Sequence, residues 1–162
     1  MGLRLNIGCG QRHRAGYTTI DIKAKYKPDI VGDFRTMEFE DVDLILAEHL
    51  LEHFGRDEGI DILKLWYKWL NPGGHLHIET PDFEEICKDF SKNKYWMARH
   101  AYGSQDERGR DIVETAEWAY HRDAWYEEKF RKVLPDIGFK VLGFKRNHTR
   151  IILPNIKVLA QK

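Results

Sequence analysis

Glycines and carboxylates recur at three points where this chain could hold a small ligand. Gly8-Cys9-Gly10 follows the apolar run Leu3 to Ile7. Glycines there let backbone amides approach a ligand and adopt positive φ without a Cβ clash. Asp21 ends the β-branched stretch Tyr17-Thr18-Thr19-Ile20, and its carboxylate has acceptor capacity for both hydroxyls of a ribose diol. Asp33-Phe34 follows a third short stretch, Asp29-Ile30-Val31, pairing an acceptor for an exocyclic amine with a ring able to cover a base. Singly, the glycines could serve only a tight turn, and Asp21 only a solvated loop. Three acceptor loops in succession, each at a strand end, point to a nucleoside site.

The dinucleotide fingerprint is incomplete. In G-x-G-x-x-G the third glycine would fall at His13. Only Cys9 to Gly16 separate the turn from the second strand, whereas a parallel crossover ordinarily takes a dozen residues or more. Any helix there is reduced to about a turn, with little dipole to hold a pyrophosphate. A cofactor without phosphates suits this site better than NAD.

A second pattern, His49-Leu50-Leu51-Glu52-His53, matches the inverted zincin motif H-x-x-E-H. On a helix, His49 and His53 would share a face and could bind zinc, with Glu52 as base. The motif follows a buried strand directly, Gly55 breaks any helix soon afterwards, and no third ligand stands at a typical downstream spacing. A zinc peptidase is therefore disfavoured and no metal is expected. His75 and His77 share one strand face and read as structural.

The elements that must position these residues alternate. Strands are expected at Leu3–Ile7, Tyr17–Asp21, Asp29–Val31 and Val42–Ala47, the last nearly all apolar and so buried on both faces. A helix over about Arg56–Leu70 carries Gly59, Ile62, Leu63, Trp66, Trp69 and Leu70 on one face. Asp57 and Glu58 favour its N-terminal dipole, and Asn71-Pro72-Gly73-Gly74 stops it. A fifth strand, His75–Thr80, leads to a helix opened by Pro81-Asp82 and running to about Phe90. The stretch 93–120 has no clear period. A helix over Asp123–Leu134 and strands at Phe139–Phe144 and Ile156–Ala160, with Ile151–Leu153 as an extension, complete the chain. The order predicts an α/β sandwich on a mainly parallel sheet, where ligands bind outside the carboxyl ends of the strands at the point of order reversal.

Composition narrows the function classes. Lys+Arg and Asp+Glu number 26 each, for zero net charge, which argues against a phosphate-binding surface and hence against nucleic acid. At 42% hydrophobic and 32% charged residues, disorder is excluded. The length suits a single domain over 1–162, able to bury roughly 70% of its unfolded surface. No apolar run is long enough to span a membrane. The N-terminus lacks a signal-peptide pattern, and Cys9 and Cys87 cannot make a disulfide framework. A cytoplasmic setting follows.

With these residues in view, the chain resembles the class I S-adenosylmethionine-dependent methyltransferases, in particular small members similar to methyltransferase type 11. The matching stretches are Leu5-Asn6-Ile7-Gly8-Cys9-Gly10, Thr19-Ile20-Asp21-Ile22, Gly32-Asp33-Phe34, Ala47 to Phe54 and Leu70 to Leu76. The resemblance implies a Rossmann-like, doubly wound seven-stranded sheet. That sheet is mostly parallel with an antiparallel last strand at Ile156–Ala160, in a three-layer α/β/α sandwich. It implies S-adenosyl-L-methionine as cofactor, with S-adenosyl-L-homocysteine as product. The implied site comprises Asn6, Gly8, Cys9, Gly10, Asp21, Ile22, Asp33, Phe34, Glu48 and His49. In it Gly8 to Gly10 would lie against the methionine part, Asp21 the ribose, and Asp33 and Phe34 the adenine. Glu48 and His49 would line the floor under the sulfonium. Tyr102-Gly103-Ser104-Gln105 and His121 resemble further features of the subgroup.

Methyl transfer from a sulfonium is an in-line displacement that needs alignment and exclusion of water. A base matters for a hydroxyl or protonated amine acceptor. His121 is the first candidate, its ordinary pKa being near neutrality, and His49 the second. Nothing precedes the first strand, so no N-terminal lid is expected. Acceptor choice then falls to the segment from Tyr95 to Trp125, whose aromatics Trp96, Tyr102, Trp118 and Tyr120 could stack on a ring or form core. The acceptor implied is a small molecule or saccharide; a homodimer is compatible. The alternative is an inactive, methyltransferase-like module that holds or has lost the cofactor.

Overall fold

The computed structural model describes residues 2–103, 120–148 and 153–162 of the chain. Leu3–Ile7 forms β1, Thr18–Asp21 β2, Ile30–Val31 β3 and Val42–Glu48 β4. Helix α1, Arg56–Trp69, leads into β5, Leu70–Pro81. Helices α2 (Phe83–Asp89), α3 (Lys94–Tyr102) and α4 (Glu127–Ile137) follow, then β6, Lys140–His148, and β7, Pro154–Gln161. Short 3-10 turns at Ala24–Tyr26, Phe34–Thr36 and Leu51–His53 occupy loops.

The seven strands make one sheet in the order β3-β2-β1-β4-β5-β7-β6. Strands β1 to β5 pair in parallel, and β7 runs antiparallel to both β5 and β6. Chain order reverses between β1 and β4. Register sets Ile7 beside both Ile20 and Ala47, so Gly8, Asp21 and Glu48 begin their loops at one level of the sheet.

The core lies between the sheet and helices α1 and α4. Ile62, Leu63, Trp66 and Trp69 of α1 join Leu5, Ile7, Ile45, Leu76 and Ile78 of the strands in one buried cluster, with Phe130 and Leu134 of α4. Each such side chain contributes about 1.5–3 kcal/mol of burial. Trp125 stacks on Phe130 at 4.8 Å between centroids. The opposite face carries a groove lined only by the β1–β2 link and by β4 to β7. There Tyr17 Oη accepts from Arg4 Nη2 at 2.9 Å and Arg14 reaches Glu48. The outer layer on that side is therefore thin among the described residues.

Three boundaries differ from the expectations. The helix α1 ends at Trp69, and Leu70 is already extended and paired with Val42, while His75 pairs with Leu44. The segment 71–74 is thus an excursion within β5, turned at Gly73 with φ +81°. Helix α3, capped by the Asn93 side chain, had no readable stripe because only Met97 and His100 are buried on it. Helix α4 starts four residues after Asp123, whose carboxylate instead pairs with Lys129. Ser104, Gln105, Trp118 and the expected extension at Ile151 and Ile152 lie outside the described residues.

Candidate active site

The end of β1 is shaped by its glycines. Gly8 has φ +67°, and a Cβ there would meet Leu50 Cδ1 at 2.9 Å, so both conformation and space require glycine. The amides of Gly8 and Cys9 bond the Ile20 carbonyl at 2.8 and 3.2 Å. The Gly10 amide, at φ +51°, donates to Asp21 Oδ2 at 2.8 Å, and Lys23 N donates to Oδ1 at 2.9 Å. One carboxylate therefore ties the β1 turn to the end of β2. Buried Asn6 supports the same turn from below, its Nδ2 donating to the Arg12 carbonyl at 2.7 Å. Cys9 is buried, and burial with the Asp21 charge pushes its thiol pKa up, which leaves it a packing residue rather than a nucleophile.

A cleft opens beside this turn, lined by Gly8, Asp21, Ile22, Lys23, Tyr26, Asp33, Phe34, His49, Leu50 and His53 among others. Seven of the ten expected cofactor residues are at or directly bonded to this cleft: Gly8, Gly10, Asp21, Ile22, Asp33, Phe34 and His49. Asp33 caps the 34–36 turn, accepting from Arg35 N at 3.0 Å and from the Arg35 guanidinium. That guanidinium holds the Asp33 pKa below the ordinary carboxylate value, against burial. Phe34 is an anchor as well as a wall. It is buried with its ring 5.9 Å from Phe54 and 6.0 Å from Trp66.

Glu48 is placed elsewhere. It lines the groove on the opposite sheet face, where both of its oxygens accept from Arg14 Nη2 at 2.8 Å and Lys157 Nζ lies 3.7 Å away. Burial alone would raise its pKa, but Arg14 lowers it below the ordinary value. Glu48 is the last residue of β4, and His49, at φ +54°, is the first beyond it, so the chain turns between them.

His49 sits at the head of the cleft with φ +54°, its amide bonded to the Glu79 carbonyl at 2.8 Å. Its Nδ1 donates to Glu52 Oε1 at 3.1 Å. Burial would push His49 down, but the Glu52 hydrogen bond and the charges of Glu52 and Glu79 keep its pKa above the ordinary value. Residues 49–53 make no α-helix. Leu51–His53 is a 3-10 turn, so the two histidines of the H-x-x-E-H pattern are not stacked one helical turn apart.

His121 does not line the cleft; its ring packs edge-on against His53 at 4.9 Å. Burial pushes its pKa down to about 4, with Glu52 opposing and His53 and His100 reinforcing. Three participants escaped the sequence reading. Lys23 and Tyr26 line the cleft from an irregular loop, and neither has a pattern that marks it. Buried His100, 6.5 Å from His49 between ring centroids, donates from Nε2 to the Pro154 carbonyl at 2.9 Å. It belongs to α3, whose composition hides the helix. Trp125 is core, whereas Tyr95, Tyr102 and Tyr120 are exposed.

Comparison with known proteins agrees with this architecture. Residues 5–78 match the family described as a methyltransferase domain. No curated protein matches the sequence. Among solved structures, an S-adenosylmethionine-dependent methyltransferase from Methanosarcina mazei is similar at a TM-score of 0.69 and 18% identity. The alignment covers 99% of this chain and 92% of that one. A second, from Mesorhizobium loti, gives 0.65 at 16% identity over 99% and 91%. An N-methyltransferase from Bradyrhizobium japonicum, in complex with S-adenosyl-L-homocysteine, gives 0.62 at 14% over 99% and 78%. The chain therefore shares the fold of these S-adenosylmethionine-dependent methyltransferases, and its residues 5–78 match the methyltransferase-domain family in sequence.

Proposed function

We propose that this single-domain chain transfers a methyl group from S-adenosyl-L-methionine to a small-molecule or saccharide acceptor by in-line displacement. The observation that carries the reading is the convergence of the Gly8–Gly10 turn, Asp21, Asp33 and His49 on one cleft at the reversal point of the sheet. The residues fit such a cofactor. Each Asp21 oxygen spends one acceptor site on a backbone amide and keeps another for a ribose hydroxyl. A Cβ at Gly10 would meet no atom within 4 Å, so the turn has open space on that side.

In this reading Gly8, Cys9 and Gly10 cradle the methionine part and Asn6 holds their turn. Asp21 and Ile22 take the ribose, Asp33 and Phe34 the adenine. When bound, the cofactor supplies a methyl group on an already activated sulfonium. The protein supplies alignment and excludes water. His49, on the cleft wall and fixed by Glu52, is the side chain best placed to face the acceptor and hold or take its proton. His121 stands one ring further back, behind His53, and reaches the site through it. Glu48 has no part in the floor.

Exposed Tyr102 and Tyr120 flank His121, whose amide bonds the Tyr102 carbonyl at 3.2 Å. They offer stacking faces suited to a sugar or planar ring. Neutral net charge accords with an acceptor other than nucleic acid. No helix of the described residues is long and apolar enough to cross a membrane. A cytoplasmic setting, argued from two free cysteines, is part of the same proposal. No observation favours the inactive-module alternative. Calorimetry with S-adenosyl-L-homocysteine tests the site: micromolar binding is expected, and none at millimolar ligand would refute it. Transfer of labelled methyl to a metabolite fraction tests turnover.

A further inference from the structure

Behind the cleft, three ligand-type side chains converge from two distant parts of the chain. A carboxylate oxygen of Glu52 and ring nitrogens of His53 and His121 all lie within 4.8 Å of one another. We propose that Glu52, His53 and His121 bind a divalent transition-metal ion of the zinc type. The sequence pointed to no metal because the third ligand comes from a loop far beyond the H-x-x-E-H pattern.

The donor chemistry fits. Two imidazoles and a carboxylate form a three-ligand set that suits zinc and related ions and leaves further positions open. Glu52 is only 2% exposed, and an ionised carboxylate in that setting costs several kcal/mol unless it is compensated. Its Oε1 accepts from His49, whereas Oε2 has no hydrogen-bond partner among the described residues. A cation beside Oε2 supplies the missing partner. His49 is then not a ligand but the group that orients the ligating carboxylate, as partners of metal ligands commonly do.

The histidines are prepared in the same sense. His53 Nδ1 donates to the Tyr120 carbonyl at 3.0 Å, which fixes the tautomer with its Nε2 lone pair free. The loop bearing His121 is pinned to Glu52 itself: the amides of Arg122 and Asp123 donate to the Glu52 carbonyl at 2.8 and 3.3 Å. Ligand atoms on one tetrahedral ion at about 2.1 Å stand about 3.4 Å apart. Side-chain rotations that move ligand atoms by about 1 Å therefore close the site. His53 also lines the cleft, so an open coordination position there could bind an acceptor oxygen and lower its pKa. This last consequence, unlike the metal site, rests on the methyltransferase reading.

The test is titration of the metal-stripped full chain with Co2+ and Zn2+, followed by calorimetry and by the cobalt ligand-field spectrum. One equivalent should bind with the intense bands of a low-coordinate site. His53→Ala, His121→Ala and Glu52→Gln should each weaken binding by more than the roughly 10–100-fold that outer hydrogen-bond partners are worth. His75→Ala, on β5, should bind as wild type. Absence of binding at millimolar Co2+, or unchanged binding in the His53→Ala/His121→Ala double variant, overturns the proposal. Should a variant fail to fold, anomalous diffraction from cobalt-loaded wild-type crystals decides: an ion away from these three side chains also overturns it. Titration of the same metal-stripped protein with S-adenosyl-L-homocysteine reads the cofactor site separately. Binding of that ligand without metal binding removes only the metal proposal, and the reverse removes only the methyltransferase reading.

Discussion

The Asp21 carboxylate accepts a hydrogen bond from the Gly10 amide at 2.8 Å, across the gap between two parallel strands. This bond does the work that a helix N-terminus does in longer crossovers. With so few residues between β1 and β2, no helix is present to hold the turn open toward a ligand. An acidic side chain at the end of β2 holds it instead, while presenting its remaining lone pairs to the cleft. Structure and recognition are therefore coupled at Asp21, and variants there must be read on both scales.

Asp21→Ala should lower stability and abolish cofactor binding together. Two charge-assisted hydrogen bonds are lost, at about 1.5–3 kcal/mol each before relaxation. Asp21→Asn keeps one acceptor oxygen, but its NH2 turns a second donor toward the other backbone amide, so it should recover only part of the stability. Melting curves and calorimetry with S-adenosyl-L-homocysteine separate the two. If Asp21→Asn binds like wild type, the ribose assignment fails.

The two glycines of the turn should differ in their tolerance. Both need left-handed backbone, a cost of roughly 1–2 kcal/mol for alanine. Only Gly8 also lacks room, because Leu50 stands 2.9 Å from the added Cβ. Gly8→Ala should therefore destabilise more than Gly10→Ala. Adding Leu50→Ala to Gly8→Ala should recover the steric part, giving a non-additive double-mutant cycle in denaturant unfolding. Strict additivity would mean that Leu50 yields freely.

How far the sequence could be read follows from which residues have a period to follow. Helix α1 was legible because Ile62, Leu63, Trp66 and Trp69 face one way, and all are buried. The β1 turn and Asp21 were legible because they recur in succession with Asp33, each at a strand end, although each alone has an ordinary structural use. Helix α3 was not, since Lys94–Tyr102 buries too few residues to leave a stripe. The His53–His121 contact was invisible for another reason. It depends on backbone hydrogen bonds between Glu52 and the loop at 122–123, and no side-chain pattern encodes them.

The Asp33–Arg35 pair gives a stability that depends on acid. Arg35 holds the folded Asp33 pKa below its unfolded value of about 3.9. In that interval the unfolded chain binds more protons, so stability rises with pH. The contribution is present above the unfolded pKa and is lost as pH falls through the folded one. The melting-temperature advantage of wild type over Asp33→Asn should thus be full near neutrality and decline as pH falls below the ordinary carboxylate value. Asparagine keeps the acceptor that caps the 34–36 turn, so the difference isolates charge. An advantage that persists unchanged in acid would contradict the ion pair.

Glu48 and His49 are adjacent in sequence yet face different cavities, and substitution should separate them. Glu48→Gln removes a carboxylate that pairs with Arg14 on the far side of the sheet. Arg14 keeps nearly half its side chain in water but Glu48 is almost buried, so the loss of the pair should cost more than the ~1 kcal/mol of a fully exposed one. Affinity for S-adenosyl-L-homocysteine should stay within about twofold, the range of substitutions away from a site. His49→Ala removes a wall of the cleft and the partner of Glu52. It should lower kcat for methyl transfer by roughly 10²-fold or more if His49 takes a proton from the acceptor. A tenfold loss of binding in Glu48→Gln would instead require Glu48 to swing from Arg14 into the cleft, and Arg14→Ala would then strengthen binding.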